Sequence, residues 1–241
     1  IGALKAELNR LDVCSQKGMG ETFDGSIGAA SVFMPFGGVN QLTPSTVMAA
    51  KPPVNGFTHT VTASAFACYP RLMKHSPFTG AIYSVLASVA KLVSAGVKRD
   101  EIRLSLQEFF KRLGNVRSRW GEPLGALLGA LEAQLGLKTA AIGGKDSMSG
   151  TFENIDVPPT LISFAMGITD DRTIVSNVFD HDGKLWLFEI PRDEFGYPDF
   201  EKTCKIFDEI HELINDKKIL RTAVVEEGGY ATAIAKSVMG S

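Results

Sequence analysis

The sequence predicts an α+β protein: a mixed or antiparallel sheet with covering helices, followed by a smaller α/β piece. Three observations predict it. Runs of strand composition lie over 56–69, 101–110 and 160–167. Two apolar repeats at helical spacing lie between them. After a linker or hairpin tip at 178–183, the pattern restarts as strand, helix, strand, helix. The boundary near 178–184 divides the chain into units 1–178 and 184–241. The second unit is marginal by size alone. It stops directly after its last helix, so it is expected to be a truncated piece of a longer chain.

Composition narrows the function classes. The 241 residues suit one large domain or two small ones, and 44% hydrophobic with 22% charged residues is ordinary for a globular chain with a core. A formal net charge of −2 leaves no overall basic footprint for nucleic acid. No apolar run approaches the roughly 18–20 residues that span a bilayer, so no membrane partner is expected. Residues 1–10 read as a short amphipathic helix rather than a signal peptide. Cys14, Cys68 and Cys204 match no metal spacing, and their odd number without a CxxC pair predicts reduced thiols and a cytoplasmic setting. His59, His75, His181 and His211 form no ligand motif.

The elements follow in order. A loop carries Ser15 to Gly18, and a hairpin is predicted over 21–36, broken at Gly37-Gly38. Thr43-Pro44-Ser45-Thr46 opens a helical turn that ends near Lys51, before Pro52-Pro53. A hydroxyl-rich strand covers 57–66. Ser76 caps a long helix with Pro77 in its first turn; Ile82, Val85, Leu86, Val89 and Val93 form its apolar face, and Gly96 closes it. Ile102, Leu104 and Leu106 alternate as a strand, and an aromatic-basic segment leads to Trp120. The second helix opens at Gly121-Glu122-Pro123 and ends at Gly136, with Leu124, Leu127, Leu128, Leu131 and Leu135 on one face. A buried strand covers 160–167. The second unit is read as a strand over 185–190, a helix over 199–215, a strand over 219–225 and a helix after Gly228-Gly229.

The candidate site is the stretch 139–152. A short apolar run leads into Gly143 and Gly144, then Lys145, Asp146, Ser147 and Ser149. Two glycines let a backbone take φ > 0 and approach a ligand closely. Backbone N–H groups there would hold a phosphate, the lysine would add a point charge, and the hydroxyls would bond oxygen ligands or substrate. The residues alone leave a second reading open, a Gly-Gly turn with a solvated polar tip.

The stretch from Ile142 to Phe152, with Asp156-Val157-Pro158-Pro159-Thr160-Leu161-Ile162-Ser163-Phe164-Ala165 after it, resembles the long single-chain phosphoribosylformylglycinamidine synthases. Phe23 to Ala29 with Met34 to Gly38, Ser76 to Tyr83, and Leu127 to Leu135 resemble the same family, in the same order. The resemblance implies an aminoimidazole-ribonucleotide-synthetase-like A-type domain over 1–178, which pairs with its counterpart through β-strands, and part of an α/β B-type domain from 184. It implies an ATP- and Mg²⁺-dependent ligase of purine biosynthesis. ATP phosphorylates the amide oxygen of formylglycinamide ribonucleotide, and glutamine-derived ammonia displaces the phosphate. Gly143, Gly144, Lys145, Asp146, Ser147 and Ser149 are the implied nucleotide- and substrate-binding residues, with no metal ligand assigned. The implied partners are the small-molecule substrate, the remaining synthetase and glutaminase domains, and a second copy forming a homodimer.

Departures from the family pattern matter. In short-chain members an Asn that helps hold metal stands where Lys145 stands, and a protonated lysine cannot ligate Mg²⁺. Ser84 and Ser88 stand where several long-chain members carry a Glu and an Asn for a structural Mg-nucleotide. Glu227-Gly228-Gly229 replaces an Asp-Gly-Gly, and the strand at 59–64 lacks an expected Asp. These departures favour a structural half-module without its own ligand as the second reading. A third is an adenylating ATP pyrophosphatase, whose phosphate loop shares Gly-Gly-Lys-Asp-Ser. That loop follows a first strand with Ser before the glycines, whereas Ile142 stands there here.

Overall fold

In a computed structural model, all residues are described except Asp24 and 26–29. Helix α1 (Gly2–Leu8) forms where the sequence predicts it, and the expected loop after it contains a short helix α2 (Lys17–Gly20). Part of the hairpin expected over 21–36 lies outside the described residues. In the rest, 30–33 runs alongside 49–51 without a full ladder: the Val32 N–H donates to the Ala49 carbonyl at 2.8 Å, and the Lys51 N–H to that of Ala30 at 2.8 Å. Strand β1 (Phe36–Gly37) pairs antiparallel with β2 (Thr43–Pro44).

The helical turn expected over 43–51 is absent; β2 and strand β3 (Met48–Ala50) occupy that segment. Tertiary partners override local preference here. Pairing with the next strand buries Ala49 and Ala50, and the Thr43 hydroxyl is used as a tether rather than a cap. It donates to the Lys236 carbonyl at 2.8 Å and accepts from the Gly240 N–H at 2.9 Å.

Strand β4 (Thr60–Ala67) buries Val61, Ala63, Ala65 and Ala67 and turns Thr60, Thr62 and Phe66 outward, the period-two pattern of a sheet covered on one face. A short helix α3 (Pro70–His75) precedes the long helix α4 (Pro77–Ser94). The Ser76 hydroxyl accepts the Thr79 N–H at 3.2 Å, as a capping residue should, and Gly96 takes φ +104° just past the end. By length and composition α4 is apolar enough to cross a membrane, which the sequence reading did not expect, but two-thirds of it is buried in the core.

Strand β5 (Arg103–Phe109) leads to helix α5 (Arg117–Leu137), which begins four residues before the expected start and carries Pro123 inside it. Its C-cap is Lys138 at φ +55°, not Gly136. The apolar face predicted for this helix faces outward. Leu124, Leu127, Leu128, Leu131 and Leu135 are 47–67% exposed, whereas Ala126, Gly129, Ala130, Ala133 and Leu137 are buried. The cause is helix-to-helix distance. A Cβ on Gly129 would run into the Phe78 carbonyl of α4, so the small face lets the two helices touch and leaves the leucines outside.

Strand β6 (Ala141–Ser147) follows, then the small pair β7 (Thr151–Phe152) and β8 (Ile155–Asp156), and strand β9 (Thr160–Asp170). The main sheet has the order β3-β4-β9-β5-β6, antiparallel except for the parallel β5–β6 edge pair. Helix α4 packs across its middle, and the core gathers Val85, Val89 and Leu92 of α4 with Leu104, Leu161 and Ala165 of the sheet. The other face is open, with Met48, Phe66 and Ile168 about half exposed.

Beyond 178, helix α6 (Phe200–Asn215) is capped by Asp199 and inserts Phe207 into the same core. Helix α7 (Gly229–Val238) follows Gly228 at φ +89°. The strands expected over 185–190 and 219–225 do not form a ladder. A strand needs a neighbour for its N–H and C=O groups; in 219–225 the Thr222 N–H donates to the Ser176 carbonyl at 3.3 Å without a ladder forming, and Leu185, Trp186 and Leu187 are exposed.

Candidate functional site

The site segment is the edge strand β6, not a glycine turn. Gly143 and Gly144 both have negative φ. Gly144 is required by close approach instead: a Cβ there would lie 2.7 Å from the Leu106 carbonyl oxygen of β5, while Gly143 has open space around it. A glycine pair is read most readily as a turn because φ > 0 is its commonest use, and only the neighbouring strand reveals the other one.

Strand alternation then divides the six candidate residues. Asp146 pairs with Glu108, and Gly144 with Leu106, on the helix side of the sheet. Lys145 pairs with Gln107 and Ser147 with Phe109 on the open side. There the Lys145 ammonium sits 5.0 Å from the centre of the Phe109 ring. The hydroxyls of Ser147 and Ser149 lie 3.3 Å apart. The segment that follows is braced, since the Gly150 N–H donates to the Phe110 carbonyl at 2.9 Å and the Thr151 hydroxyl to Asp156 at 2.7 Å. Lys145 and Asp146, adjacent in sequence, therefore present opposite charges to opposite faces.

On the helix side, β5 and β6 and the first half of α5 enclose an open groove of about 470 Å³. Leu113, Trp120, Leu124, Leu127 and Met148 supply apolar walls, and Glu108 and Asp146 supply carboxyls. Burial, with a smaller contribution from the Asp146 charge, pushes the Glu108 carboxyl up to about 7. One of its oxygens is buried with no hydrogen-bond partner. Neither carboxylate has a salt-bridge partner among the described residues: Lys145 is on the other face, and Lys111 is held by Glu122 at 2.7 Å. Sequence reading missed Glu108. Its signal was a lone glutamate in an otherwise apolar alternation, at a strand position that faces the core.

A second cluster was also invisible in sequence. His59, Asp170 and Asp171 bring ligand-type atoms within 4.8 Å of one another. Residues 112 apart meet because β4 and β9 pair at Thr60 and Asp170. Cations of the chain already neutralise it: Lys51 holds Asp171 at 2.5 Å, and Arg172 holds Asp170 through its side chain at 2.6–2.7 Å, which keeps that carboxyl well below its usual range.

Mg²⁺ takes oxygen ligands, typically carboxylates, phosphates and water. Ser84 and Ser88 do not fit such a role. Both are fully buried, and their hydroxyls are committed to the Gly80 carbonyl at 2.8 Å and to Val85 and Ser163, both at 2.9 Å. Asp146 is the single carboxylate among the candidate residues, and burial disfavours the charged form of Glu108 beside it, so the residues present do not build a Mg²⁺ cradle.

Sheet, helices and edge-strand segment together define an α+β fold of the aminoimidazole-ribonucleotide-synthetase type. Solved structures that it resembles include Thermotoga maritima PurL proteins. PurL complexed with AMPPCP matches over 95% of this chain and 36% of that one, at 13% identity and a TM-score of 0.62. PurL complexed with FGAR matches over 84% and 30%, at 14% identity and 0.59. PurLQS from the same organism matches over 70% and 26%, at 16% identity and 0.56. The chain thus spans only about a third of those chains or less. No protein-family model matches it, and no curated protein matches it in sequence.

Proposed function

We propose that this chain is the second A-type half, 1–178, and the beginning of the B-type part, 184–241, of a long single-chain phosphoribosylformylglycinamidine synthase. The observation that carries the reading is a coincidence of fold and motif. The chain that resembles this family from Ile142 to Phe152 also has the fold of a PurL structure complexed with AMPPCP and of another complexed with FGAR. The whole enzyme would phosphorylate the amide oxygen of formylglycinamide ribonucleotide with ATP and admit ammonia to displace the phosphate. In such a reaction the protein mainly positions groups and stabilises charge.

The open side of β6 suits that work. Lys145 offers an ammonium to phosphate oxygens, and Ser147 with Ser149 offers paired hydroxyls to substrate oxygens. As an edge strand, β6 leaves backbone N–H groups unpaired on its outer side, and the bare Gly143 lets a ligand come close to them. The open sheet face is the surface through which the A-type half would pair with its counterpart.

The test is thermal. AMPPCP with Mg²⁺ should raise the melting temperature of the 241-residue chain, since a ligand that binds only the folded state stabilises it. Lys145→Ala should reduce that rise while leaving the ligand-free melting temperature within about 1–2 °C, because an exposed lysine contributes little to folding. The second reading, a structural half-module without its own ligand, is favoured by the buried, fully bonded Ser84 and Ser88. It predicts no rise at all.

A further inference from the structure

We propose that the outward face of α5 and the groove beside it form a docking site for an amphipathic helix of another protein, one that carries a lysine or arginine at the end meeting Glu108 and Asp146. Three observations support this, and none depends on the synthetase reading.

The first is the leucine row. Leu124, Leu127, Leu128, Leu131 and Leu135 recur at three- and four-residue spacing and stay 47–67% exposed, although the helix has buried its small residues against α4. With Trp120 the row runs about 22 Å along α5. That is the length and spacing with which a partner helix packs side by side. The Trp120 indole N–H is anchored to the Gly114 carbonyl at 3.1 Å, so the ring is a fixed wall.

The second is the vacancy. Helix α4 lies on the sheet and α5 packs against α4, and the groove opens between the first half of α5 and the edge strands β5 and β6. A helix laid there would touch Leu124 and Leu127 on one side and the edge strand at Gly144 beneath.

The third is charge. Glu108 and Asp146 face one end of this apolar row without a salt-bridge partner among the described residues, and one Glu108 oxygen is buried unpaired. Two carboxyls in an apolar groove select a cationic side chain and reject an anionic one. A purely apolar occupant, including a second copy placing its own leucines there, would leave both carboxyls desolvated and unmatched.

The experiment uses the whole chain and two fluorescently labelled synthetic peptides. Each is an amphipathic helix of about 18 residues with leucines at i, i+3, i+4 and i+7. One carries lysines at both ends, so that either direction serves, and the other carries glutamates in their place. Anisotropy titration should show the lysine peptide binding at least about tenfold more tightly. Glu108→Gln and Asp146→Asn should each narrow that ratio. Leu128→Asp, on the solvent side of α5, should abolish binding with the circular dichroism of the chain unchanged. Equal affinity of the two peptides for the wild-type chain, or binding by neither, overturns the proposal. So does a sedimentation result in which Leu128→Asp converts a dimer to a monomer, since a second copy would then be the occupant.

Discussion

A carboxyl turned into a groove between a strand and a helix loses hydration, and Glu108 carries the consequence. Its folded-state value near 7 lies above that of a free glutamate, so ionising it opposes folding. Its burden is absent below about pH 4.5, grows as pH rises, and is complete above about pH 7. Glu108→Gln should therefore leave stability unchanged at pH 4 and raise it at pH 8. Each pKa unit is worth ~1.4 kcal/mol, and partial access to water reduces the gain to about 1–2 kcal/mol. Urea titrations at the two pH values would check this, and an equal effect at both would show that burial of the charge is not the cause. At Gly144 the argument is steric. Gly144→Val places a branched side chain against the Leu106 carbonyl and should cost about 1–3 kcal/mol, so lost ligand binding there would come together with a lower melting temperature. Lys145→Ala separates the two effects.

At the scale of the element, α5 carries a contrast within one helix. Glycine to alanine inside a helix ordinarily gains about 0.5–1 kcal/mol, and Gly121→Ala should do so because nothing lies within 4 Å of the added Cβ. Gly129→Ala should instead destabilise by about 1–3 kcal/mol, because the methyl would meet the Phe78 carbonyl and push α5 off α4. Thermal melts of the pair would decide. If both substitutions stabilise, the close α4–α5 contact is not present in solution. The leucine face of this helix shows why periodicity misleads. A 3.6-residue repeat of large apolar side chains normally marks the buried stripe, but here the shorter side chains on the opposite face set the distance to α4.

For the whole molecule, one face of the sheet is covered by helices and the other is open, with Met48, Phe66 and Ile168 about half exposed. An exposed apolar face of this kind is expected to find a partner. Without a counterpart, two copies should associate about a two-fold axis through it. Sedimentation at tens of micromolar should give a dimer, and Ile168→Asp should give a monomer; a monomeric wild-type chain would count against association through the sheet. Taken alone, the 241 residues would be one half of the proposed synthetase. The isolated chain should accordingly form no amidine from formylglycinamide ribonucleotide, ATP and ammonia. Turnover above background would overturn the reading of the chain as a part.

Local chemistry was legible in the sequence wherever a residue's role depends on its neighbours along the chain. The helix capped by Ser76 and begun by Pro77, the strands around Val61, Leu104 and Leu161, and the helix over 199–215 formed where composition, periodicity and the Ser76 cap placed them. The α+β class followed from those elements, and the Gly143–Ser149 segment was marked by its unusual concentration of small and polar groups. What remained was decided by partners distant in sequence. Met48 to Ala50 became a strand because β4 offered it a ladder, and the Thr43 hydroxyl was drawn to the 236–240 segment instead of capping a helix. Gly144 is glycine because Leu106 approaches it, and Lys145 and Asp146 part company because β6 is extended. Glu108 and the His59–Asp170–Asp171 cluster exist as features only through strand pairing. Propensity and capping act over a few residues, so a sequence displays them directly; distance, burial and the face a side chain takes are set by packing between segments and exist only once the chain has folded.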